Sequence, residues 1–589
     1  RFPATPEQTW GITFWRAIPR VNEFSAWPHI SSRIEGELNQ AATLRGLHNI
    51  SPGRNVQLIP YGFLRSFRAL DTLDPAQPRF VSKTVDPYAG LDAKFVFKDS
   101  LVLDVALNPD FSQVESDQPQ VTANQRFEVF FPEKRPFFLE NASFFQTPIN
   151  LFFTRRIADP QFGVRLTGKS GPYAIGALFA DDQSPGREVP LGDPIFGRRA
   201  KFGVLRINRD ISRESTIGMI YTDRVFLGSS NRVGGVDARI KLNRNWSVSM
   251  QAVTSSTQFL DGTHTGGPAY DVEVEQEGRK LDLRFEFNDR SPGFDTLTGF
   301  LPGGGGSRRS FRGRRRSPRV RLRPDIRNFR HSTRYRFRPE GKFLIAWGPS
   351  YSINPSWDHQ GKRLDFLYGG GMNWEFTGRT YAGLFFDGSR ERLRPVDFDE
   401  LTVSQDYAGS RKGFFFSSGY LPELSLSAEF SMGTRINFVP PEGEIPTLAN
   451  VTSTNIGVTL KPLTPLSIEN TYILERLTDR LTQGKTSVFN NHIMRSRWNW
   501  QFSRELSLRV IVQYNTVLAN SFVTDLDTKK NFNADFLLTY QLNPWTALFV
   551  GYNGNVQNID LLDAEVVRTN RFRHDARQFF VKFSYYLPF

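Results

Sequence analysis

RQFFVKFSYYLPF, at positions 577–589, carries an apolar side chain at every second position from its third residue to the end. Because successive side chains of a strand point to opposite faces, these residues share one face: Phe579, Val581, Phe583, Tyr585, Leu587 and Phe589. An alternating strand with an aromatic last residue is typical of the signal by which the barrel insertion machinery recognises outer-membrane proteins. An ordinary edge strand that happens to end in Phe is the alternative, and the pattern in the rest of the chain distinguishes the two interpretations.

The same two-residue period recurs along most of the sequence. It is clearest at 281–288, 424–438, 496–502, 506–514 and 532–542, where apolar and strongly polar positions alternate. A soluble β-sandwich alternates as well, but soluble strands average about five or six residues. The strands predicted here reach about ten residues or more, and aromatic residues gather near their ends, as in the interfacial girdles of membrane barrels.

The lengths of the connections alternate too. Tight connections recur at every second turn, for example at 543–545, 503–505, 421–423 and 243–245, and longer links lie between them. Outer-membrane barrels have short periplasmic turns and longer extracellular loops. The sequence therefore predicts an all-β fold, a large transmembrane antiparallel β-barrel of about 26 strands (range about 22–26). Because its own side chains cannot fill so wide a lumen, we also expect a plug or periplasmic cap segment.

The composition agrees with a membrane barrel and excludes several other classes. The 589 residues include 53 Phe and no Cys, which excludes disulfides, thiolate zinc sites and cysteine nucleophiles. No run of about 18 apolar residues occurs, so the sequence predicts no transmembrane helix. The net charge of +14 favours anionic partners. Because the chain starts at Arg1 without a Met or a signal sequence, we expect a mature or truncated product.

One segment breaks the alternation. RFEVFFPEKRPFFLENASFF, at 126–145, fits neither a strand nor an amphipathic helix. It lies between predicted strands at 101–108 and 151–157, on the side of the short turns by the strand count. We interpret 109–150 as a plug or cap insertion with an anchoring motif: Phe131, Pro132, Glu133, Lys134, Arg135, Pro136, Phe137, Phe138 and Glu140. Its charges are expected to pair with lumen carboxylates or with Arg155 and Arg156. A structural plug is favoured over a moving gate, and a simple cap is the alternative.

Four motifs in the same region resemble one known family. NPDFSQVESD (108–117), FFPEKRPFFLE (130–140), FFTRRI (152–157) and GVRLTGKSGPYAIGAL (163–178) are similar to the domain of unknown function 5916 family of Gram-negative outer-membrane barrels. Its members typically carry a carbohydrate-binding-module-family-9-like domain before the barrel, and TWGITFWRAIPRVNE (9–23) is similar to the end of that domain. The resemblance implies that residues 1–32 are the tail of an upstream domain, otherwise absent or truncated here, and that residues 33–589 form the barrel.

The sequence shows no residues for catalysis, cofactor binding or metal binding. The 7 His residues are scattered, and HExxH, GxSxG, Walker and GxGxxG motifs are absent. Charged residues of the alternating segments mix both signs, which is typical of a wet lumen wall: Asp282, Arg284, Glu286, Glu429, Arg435, Arg497, Arg509, Asp535 and Lys582. We therefore predict that the chain is not an enzyme and has no cofactor and no metal.

An Arg- and Gly-rich insert occupies 302–330. Arginine binds phosphate through paired hydrogen bonds, so the insert contains candidate anion-binding residues: Arg308, Arg309, Arg312, Arg314, Arg315 and Arg316. By the strand count this loop is extracellular. Lipopolysaccharide phosphates or an acidic polymer are therefore the expected partners, and nucleic acid is not. A solvated flexible loop at the barrel mouth is the alternative.

Three functions remain open at this point. The leading hypothesis is an outer-membrane conduit or gated pore for a saccharide or a secreted polymer. The second is a barrel scaffold that holds a partner protein in an outer-membrane complex, and the third is a carbohydrate-associated hydrolase. All three place the chain in the bacterial outer membrane, in contact with lipid and lipopolysaccharide.

Overall fold

The computed structural model describes residues 6–18, 23–30, 40–48, 55–74, 77–97, 100–190, 192–212, 214–301, 325–339, 341–398, 400–480, 486–562 and 565–588. Nearly all of its regular structure is β. The strands are β1 (Glu7–Ile12), β2 (Phe14–Ile18), β3 (Glu23–Trp27), β4 (Ala42–His48), β5 (Asn55–Asp71), β6 (Arg79–Phe97), β7 (Leu101–Leu107), β8 (Phe162–Ser170), β9 (Tyr173–Asp182), β10 (Ala200–Asp210), β11 (Thr216–Phe226), β12 (Ser229–Lys241), β13 (Trp246–Gln258), β14 (His264–Glu277), β15 (Leu281–Arg290), β16 (Ile326–Tyr335), β17 (Leu344–Trp357), β18 (Arg363–Phe376), β19 (Thr380–Leu393), β20 (Gln405–Leu421), β21 (Leu424–Asn437), β22 (Thr447–Leu463), β23 (Leu466–Asp479), β24 (Ser487–Gln501), β25 (Leu506–Ala519), β26 (Lys529–Asn543), β27 (Thr546–Leu562), β28 (Glu565–Ser584) and β29 (Leu587–Pro588). The helices are α1 (Pro136–Leu139) and α2 (Ser184–Arg187), with 3-10 turns at Ala142–Phe145 and Thr154–Arg156. In the ranges given above, no helix is long and apolar enough to cross a membrane.

Strands β5 to β28 form one closed antiparallel barrel of 24 strands, in which neighbours in the sequence are neighbours in the wall. β28, with the short β29, pairs with β5 and closes the ring. The prediction of an all-β barrel is confirmed, and the strand number falls inside the predicted range.

Each strand presents one face to the lumen and one to the outside, as the alternation predicts. In β24, Arg495 and Arg497 contact residues inside the lumen, whereas Met494 and Trp498 are exposed on the outer surface. The last strand follows the same rule. Of the residues in the predicted insertion signal, Phe579, Phe583 and Tyr585 are exposed on the outer face, Val581 and Leu587 are half-buried, and Phe589 lies outside the described residues.

The strand predicted at 151–157 does not form, and this changes the position of the insertion. Thr154–Arg156 is a 3-10 turn, and the whole stretch between β7 and β8, all of it described, contains no strand. β7 and β8 therefore pair directly in the wall. The insertion between them consequently leaves from the end of the barrel that carries the long loops, not from the end of the short turns. Leu151 and Ile157 are apolar because both are fully buried inside the lumen, which the sequence alone could not distinguish from a strand.

Two further boundaries differ from the prediction. β1 pairs with β4 and β2 pairs with β3 in small sheets outside the barrel, so the barrel begins at Asn55 and not at residue 33. β16 begins at Ile326, inside the range predicted as a loop (302–330). The described part of the chain excludes 302–324, and all six candidate anion-binding arginines therefore lie outside it: Arg308, Arg309, Arg312, Arg314, Arg315 and Arg316.

Candidate functional site in the barrel lumen

Residues 108–161 connect β7 to β8 and lie inside the barrel, and we call them the lumenal segment. Leu107 pairs with Leu91 near the middle of the long strand β6, so the chain leaves the wall partway along the barrel. The backbone N–H of Asn108 donates to the carbonyl of Gln161 at 2.5 Å, which fastens the two ends of the segment together. Asn108 has a φ of 52°, a left-handed conformation that Asn tolerates, and it turns the chain inward.

Cations of the wall hold the first part of the lumenal segment. Lys582 of β28 lies 3.1 Å from the Asp110 carboxylate and donates to the Asp110 carbonyl at 2.9 Å. Arg495 and Arg497 of β24 each lie 3.1 Å from an oxygen of Glu115. Charged groups away from bulk water are stable only when they are paired. The contact between the first part of the lumenal segment and the wall therefore depends on ion pairs.

A corner of the segment, residues 124–126, docks at the long-loop end of the wall. Asn124 Nδ2 donates to the carbonyl of Ile436 at 2.9 Å, and its Oδ1 accepts from the N–H of Phe438 at 2.7 Å. Arg126 Nη1 lies 3.1 Å from Glu391 Oε2 on β19. The corner is therefore attached by a small number of polar contacts.

A different part of the contact between the lumenal segment and the barrel wall is apolar. Phe138 and Phe145 are buried together with Phe202 of β10, and Ile149 and Leu151 are buried among residues of β11 to β14. Full burial of such a side chain stabilises by about 1.5–3 kcal/mol. The second half of the lumenal segment is thus held by packing, whereas its corner is held by polar contacts.

The centre of the predicted plug motif is an internal brace. Arg135 Nη2 donates to Glu133 Oε2 at 2.6 Å, and the Thr154 hydroxyl donates to the same oxygen at 2.7 Å. Arg135 also donates to the carbonyl of Ile157 at 2.7 Å and lies over the ring of Phe138. Burial raises the pKa of the Glu133 carboxyl, but the hydrogen bond and charge of Arg135, with the hydrogen bond from Thr154, outweigh burial and lower this pKa to about 2.

The other members of the motif divide between the segment and the wall. Lys134 Nζ donates to the carbonyl of Ser116 at 2.7 Å, and Glu140 pairs with Lys94 of β6. Phe137 lies beneath the guanidinium of Arg165 on β8. Pro136 begins α1, Phe131 is half-buried and Pro132 is exposed. The prediction that the central charges pair with lumen carboxylates or with Arg155 and Arg156 is wrong for Glu133 and Arg135, which pair with each other.

Small side chains of neighbouring strands form an open trough beside the lumenal segment. Ser332, Ser352 and Gly369 lie side by side on β16, β17 and β18, and Ser350 and Gly371 form the next row. Cavities of about 650 Å³ and 470 Å³, both bounded by described residues, meet here at Ser352 and Asp387. The trough extends to Glu391, where the corner at 124–126 touches the wall.

Four of the predicted lumen-facing residues line this trough or its edge, and each forms an ion pair with a lumen-facing residue of another strand: Asp282 with Arg336 at 2.8 Å, Glu286 with Arg330 at 3.2 Å, Arg284 with Glu273, and Arg435 with Glu475 at 2.9 Å.

The remaining predicted lumen residues lie elsewhere on the inner wall. Most of them contact the lumenal segment: Arg509 donates to the carbonyl of Gln113 at 3.0 Å, and Arg497 and Lys582 make the contacts described above. Arg435, at the edge of the trough, also reaches the segment and donates to Gln125 Oε1 at 3.0 Å. Asp535 contacts Asn553 on the adjacent strand, and Glu429 lies on the same face of β21 as Arg435.

The prediction from sequence did not include the segment's own docking residues. Asp110, Gln113 and Glu115 belong to the motif NPDFSQVESD, so their family resemblance was visible but their role was not. Asn124 and Arg126 carried no recognisable signal, because their partners on β19 and β21 are more than 200 residues away in the chain.

The geometry defines a class of protein: a large closed β-barrel whose lumen holds the segment that connects two neighbouring strands of its wall. Residues 73–167 match the family model described as Domain of unknown function (DUF5916). This is the family that the four motifs resemble, and the match confirms the resemblance over β6, β7, the whole lumenal segment and most of β8.

No curated protein matches the chain. Among solved structures, the siderophore receptor PirA from Acinetobacter baumannii has a TM-score of 0.45 at 6% identity, covering 94% of this chain and 83% of that one. A mutant of the ferric enterobactin receptor PfeA from Pseudomonas aeruginosa has a TM-score of 0.44 at 9% identity, covering 90% and 80%. The ferric-catecholate import receptor Fiu from E. coli has a TM-score of 0.41 at 9% identity, covering 91% and 82%. Likeness at this level carries no assignment of function.

Proposed function

We propose that this chain is an outer-membrane β-barrel that acts as a conduit narrowed by its own lumenal segment. Membrane insertion is supported by the outer surface, where large apolar side chains such as Phe414, Trp498 and Phe583 are exposed on many strands. Soluble monomeric proteins rarely expose contiguous apolar patches of more than a few hundred Å². The lumen, in contrast, is lined by ion pairs and small polar residues, as a water-filled passage requires.

The trough is the observation that carries the proposal. A barrel whose lumen had only a structural role would gain stability by filling it, because empty space forfeits packing energy. Here the lumenal segment docks on both sides of the trough, near β14 and near β19, and leaves Ser332 and Ser352 uncovered between them. A passage with a floor of small side chains is therefore left along one sector of the wall.

The substrate that we propose is a saccharide or a secreted polymer. The resemblance to a family with a carbohydrate-binding-like domain supports a saccharide, and so does the chemistry of the trough. Its hydroxyl groups and ion pairs offer both donors and acceptors to a hydroxylated chain. The absence of enzymatic activity stays a prediction; among the described residues, no group of three or more His, Asp or Glu side chains is placed to hold a metal ion.

Cysteine labelling tests the conduit directly, because the chain contains no Cys of its own. Ser352→Cys places a thiol on the trough floor, and Ile353→Cys places one on the outer face of the same strand. After reconstitution in a planar bilayer, a bulky thiol reagent should lower the conductance of the Ser352 variant and leave that of the Ile353 variant unchanged. A folded protein that conducts nothing would contradict the proposal, and stoichiometric co-purification of a partner protein would then favour the scaffold.

A further inference from the structure

Two arginines of the trough project further into the lumen than the carboxylates with which they pair. The side chain of Arg284 is 47% exposed and that of Glu273 is 19% exposed. The same holds for Arg330 at 46% and Glu286 at 17%. Each carboxylate therefore lies against the wall while the guanidinium faces the open space. Because a guanidinium has five N–H donors, a single carboxylate leaves several of them available to a ligand.

Arg334 extends this row without a partner. It lies between Arg330 and Arg336 on the lumen face, it is exposed, and it has no hydrogen-bond or ion-pair partner within the described residues. The nearest carboxylate across the strands, Asp282, is already held by Arg336 at 2.8 Å. A lone guanidinium at the edge of a cavity retains its full capacity to bind an anion in paired hydrogen bonds.

A further guanidinium stands on the opposite flank of the trough. Arg411 of β20 is 45% exposed and lies 2.7 Å from Asp387. Four strand spacings separate β16 from β20, which is roughly 19 Å along the wall. The floor between the two flanks carries small residues such as Ser352 and Gly369, and the ring of Phe385 on β19 lies beneath the guanidinium of Arg411.

The acidic groups of the trough lie towards its ends or within pairs. Glu277 lines the end near the short turns, Glu275 lies directly opposite Arg284 on the neighbouring strand, and Glu391 is held by Arg126 at the other end. Asp282 is paired with Arg336, Asp387 with Arg411 and Glu475 with Arg435. The middle of the trough therefore presents guanidinium groups on both flanks.

We propose that the trough recognises a linear ligand that carries carboxylate, sulfate or phosphate groups at intervals along its length. This inference rests on the proposed function and names the substrate class of the same passage. The guanidinium groups of Arg284, Arg330, Arg334 and Arg411 bind the anionic groups, and the small floor leaves room for the backbone of the polymer.

Binding to the purified full-length protein in detergent tests this inference without requiring conduction. Isothermal titration with tetragalacturonate and with a short linear polyphosphate is compared with maltotetraose, which is uncharged. Binding of either anion, or of both, with no binding of maltotetraose is the expected result, and the two anions distinguish a carboxylate ligand from a phosphate ligand. Raising the salt concentration should weaken binding because exposed charges are screened.

The double variant Arg284→Gln/Arg334→Gln should bind the anion with an affinity lowered by at least about tenfold, because two charge-assisted contacts are lost. Arg327→Gln is the matched control: Arg327 is also on β16, is 44% exposed and pairs with Asp289, but it lies on the outer face. It should bind like the unmodified protein, and heat-dependent mobility on SDS gels confirms that every variant is folded.

Equal binding of maltotetraose, or unchanged affinity in the double variant, would overturn the inference. Anion binding without conductance would refute the conduit alone, and conductance without anion binding would refute the ligand class alone.

Discussion

Arg135 holds both carboxylate oxygens of Glu133, through Nε to Oε1 at 2.9 Å and Nη2 to Oε2 at 2.6 Å. The backbone N–H groups of Lys134 and Arg135 donate to Oε1 as well. One carboxylate therefore fixes the backbone immediately before α1 and also orients the guanidinium that reaches the carbonyls of Thr154 and Ile157. Residues 133–135 and residues 154–157 of the lumenal segment are therefore held together through this one carboxylate.

Replacing the carboxylate should loosen the segment and leave the wall intact. Glu133→Gln keeps the size of the side chain but leaves a largely buried guanidinium without its anion, at a cost of roughly 2–3 kcal/mol. We expect tryptic cleavage within the lumenal segment to become faster while the heat-dependent mobility of the barrel stays the same. Glu140→Gln is the control, because that side chain is 48% exposed and a surface pair contributes little. Equal cleavage rates in the two variants would contradict this role for Glu133.

The same carboxylate predicts how the segment responds to acid. Its pKa falls from 4.5 when free to about 2 in the folded protein, so the ionised group contributes its full stabilisation above pH 4.5. This contribution decreases below pH 4.5 and is lost as the pH falls through about 2. Cleavage of the lumenal segment by pepsin should therefore accelerate between these two values. Glu133→Gln should lack this part of the pH dependence, and identical profiles for both proteins would refute the assignment.

Substitutions of Asn124 test how firmly the corner at 124–126 is attached to the wall. Asn124→Ala removes two buried hydrogen bonds and puts Ala, which tolerates the left-handed region less well than Asn, at a φ of 53°, for a combined cost of about 2–4 kcal/mol. Asn124→Gly loses the same hydrogen bonds without the backbone strain and should be milder by about 1 kcal/mol. Hydrogen exchange of the Phe438 amide measures the change. If protection of this amide survived in both variants, the corner would be held by other contacts.

Gly163 predicts how closely the segment packs against the wall. A Cβ at this position would lie 2.8 Å from the ring of Phe137, so Gly163→Ala should cost about 1–3 kcal/mol and displace that ring. A Cβ at Gly203 on β10 would meet nothing within 4 Å, so Gly203→Ala is the matched control and should be neutral. Thermal unfolding of the two variants in detergent provides the comparison. Equal midpoints would show that Phe137 can move aside freely.

The wall of the barrel was predictable because each strand is specified locally. A two-residue period is present along the strands, and tight turns such as the one before Thr546 follow from turn-forming residues, there Asn543 and Pro544. The lumenal segment was only partly predictable, since its inward fold is imposed by wall residues far away in the chain. The sequence predicts LFFTRRI as a strand because apolar residues packed inside a lumen look the same as those facing lipid, and that one error reverses the end from which the segment emerges.

The trough was hidden from sequence for a different reason. Asp282, Arg284 and Glu286 could be assigned to the inner face, but their pairing and relative exposure depend on register between strands. Arg334 in particular becomes distinctive only when the neighbouring pair of Asp282 and Arg336 is seen.

The hydrogen bond from Asn108 to Gln161 has one last consequence. Since both ends of the lumenal segment are joined to adjacent strands, the segment stays attached to the barrel however it moves, unlike a detachable cork. Any wider opening therefore has to come from rearrangement of a tethered loop. A passing cargo would slide between the wall and that loop, and it would touch the protein on both of its sides throughout the narrow part of its route.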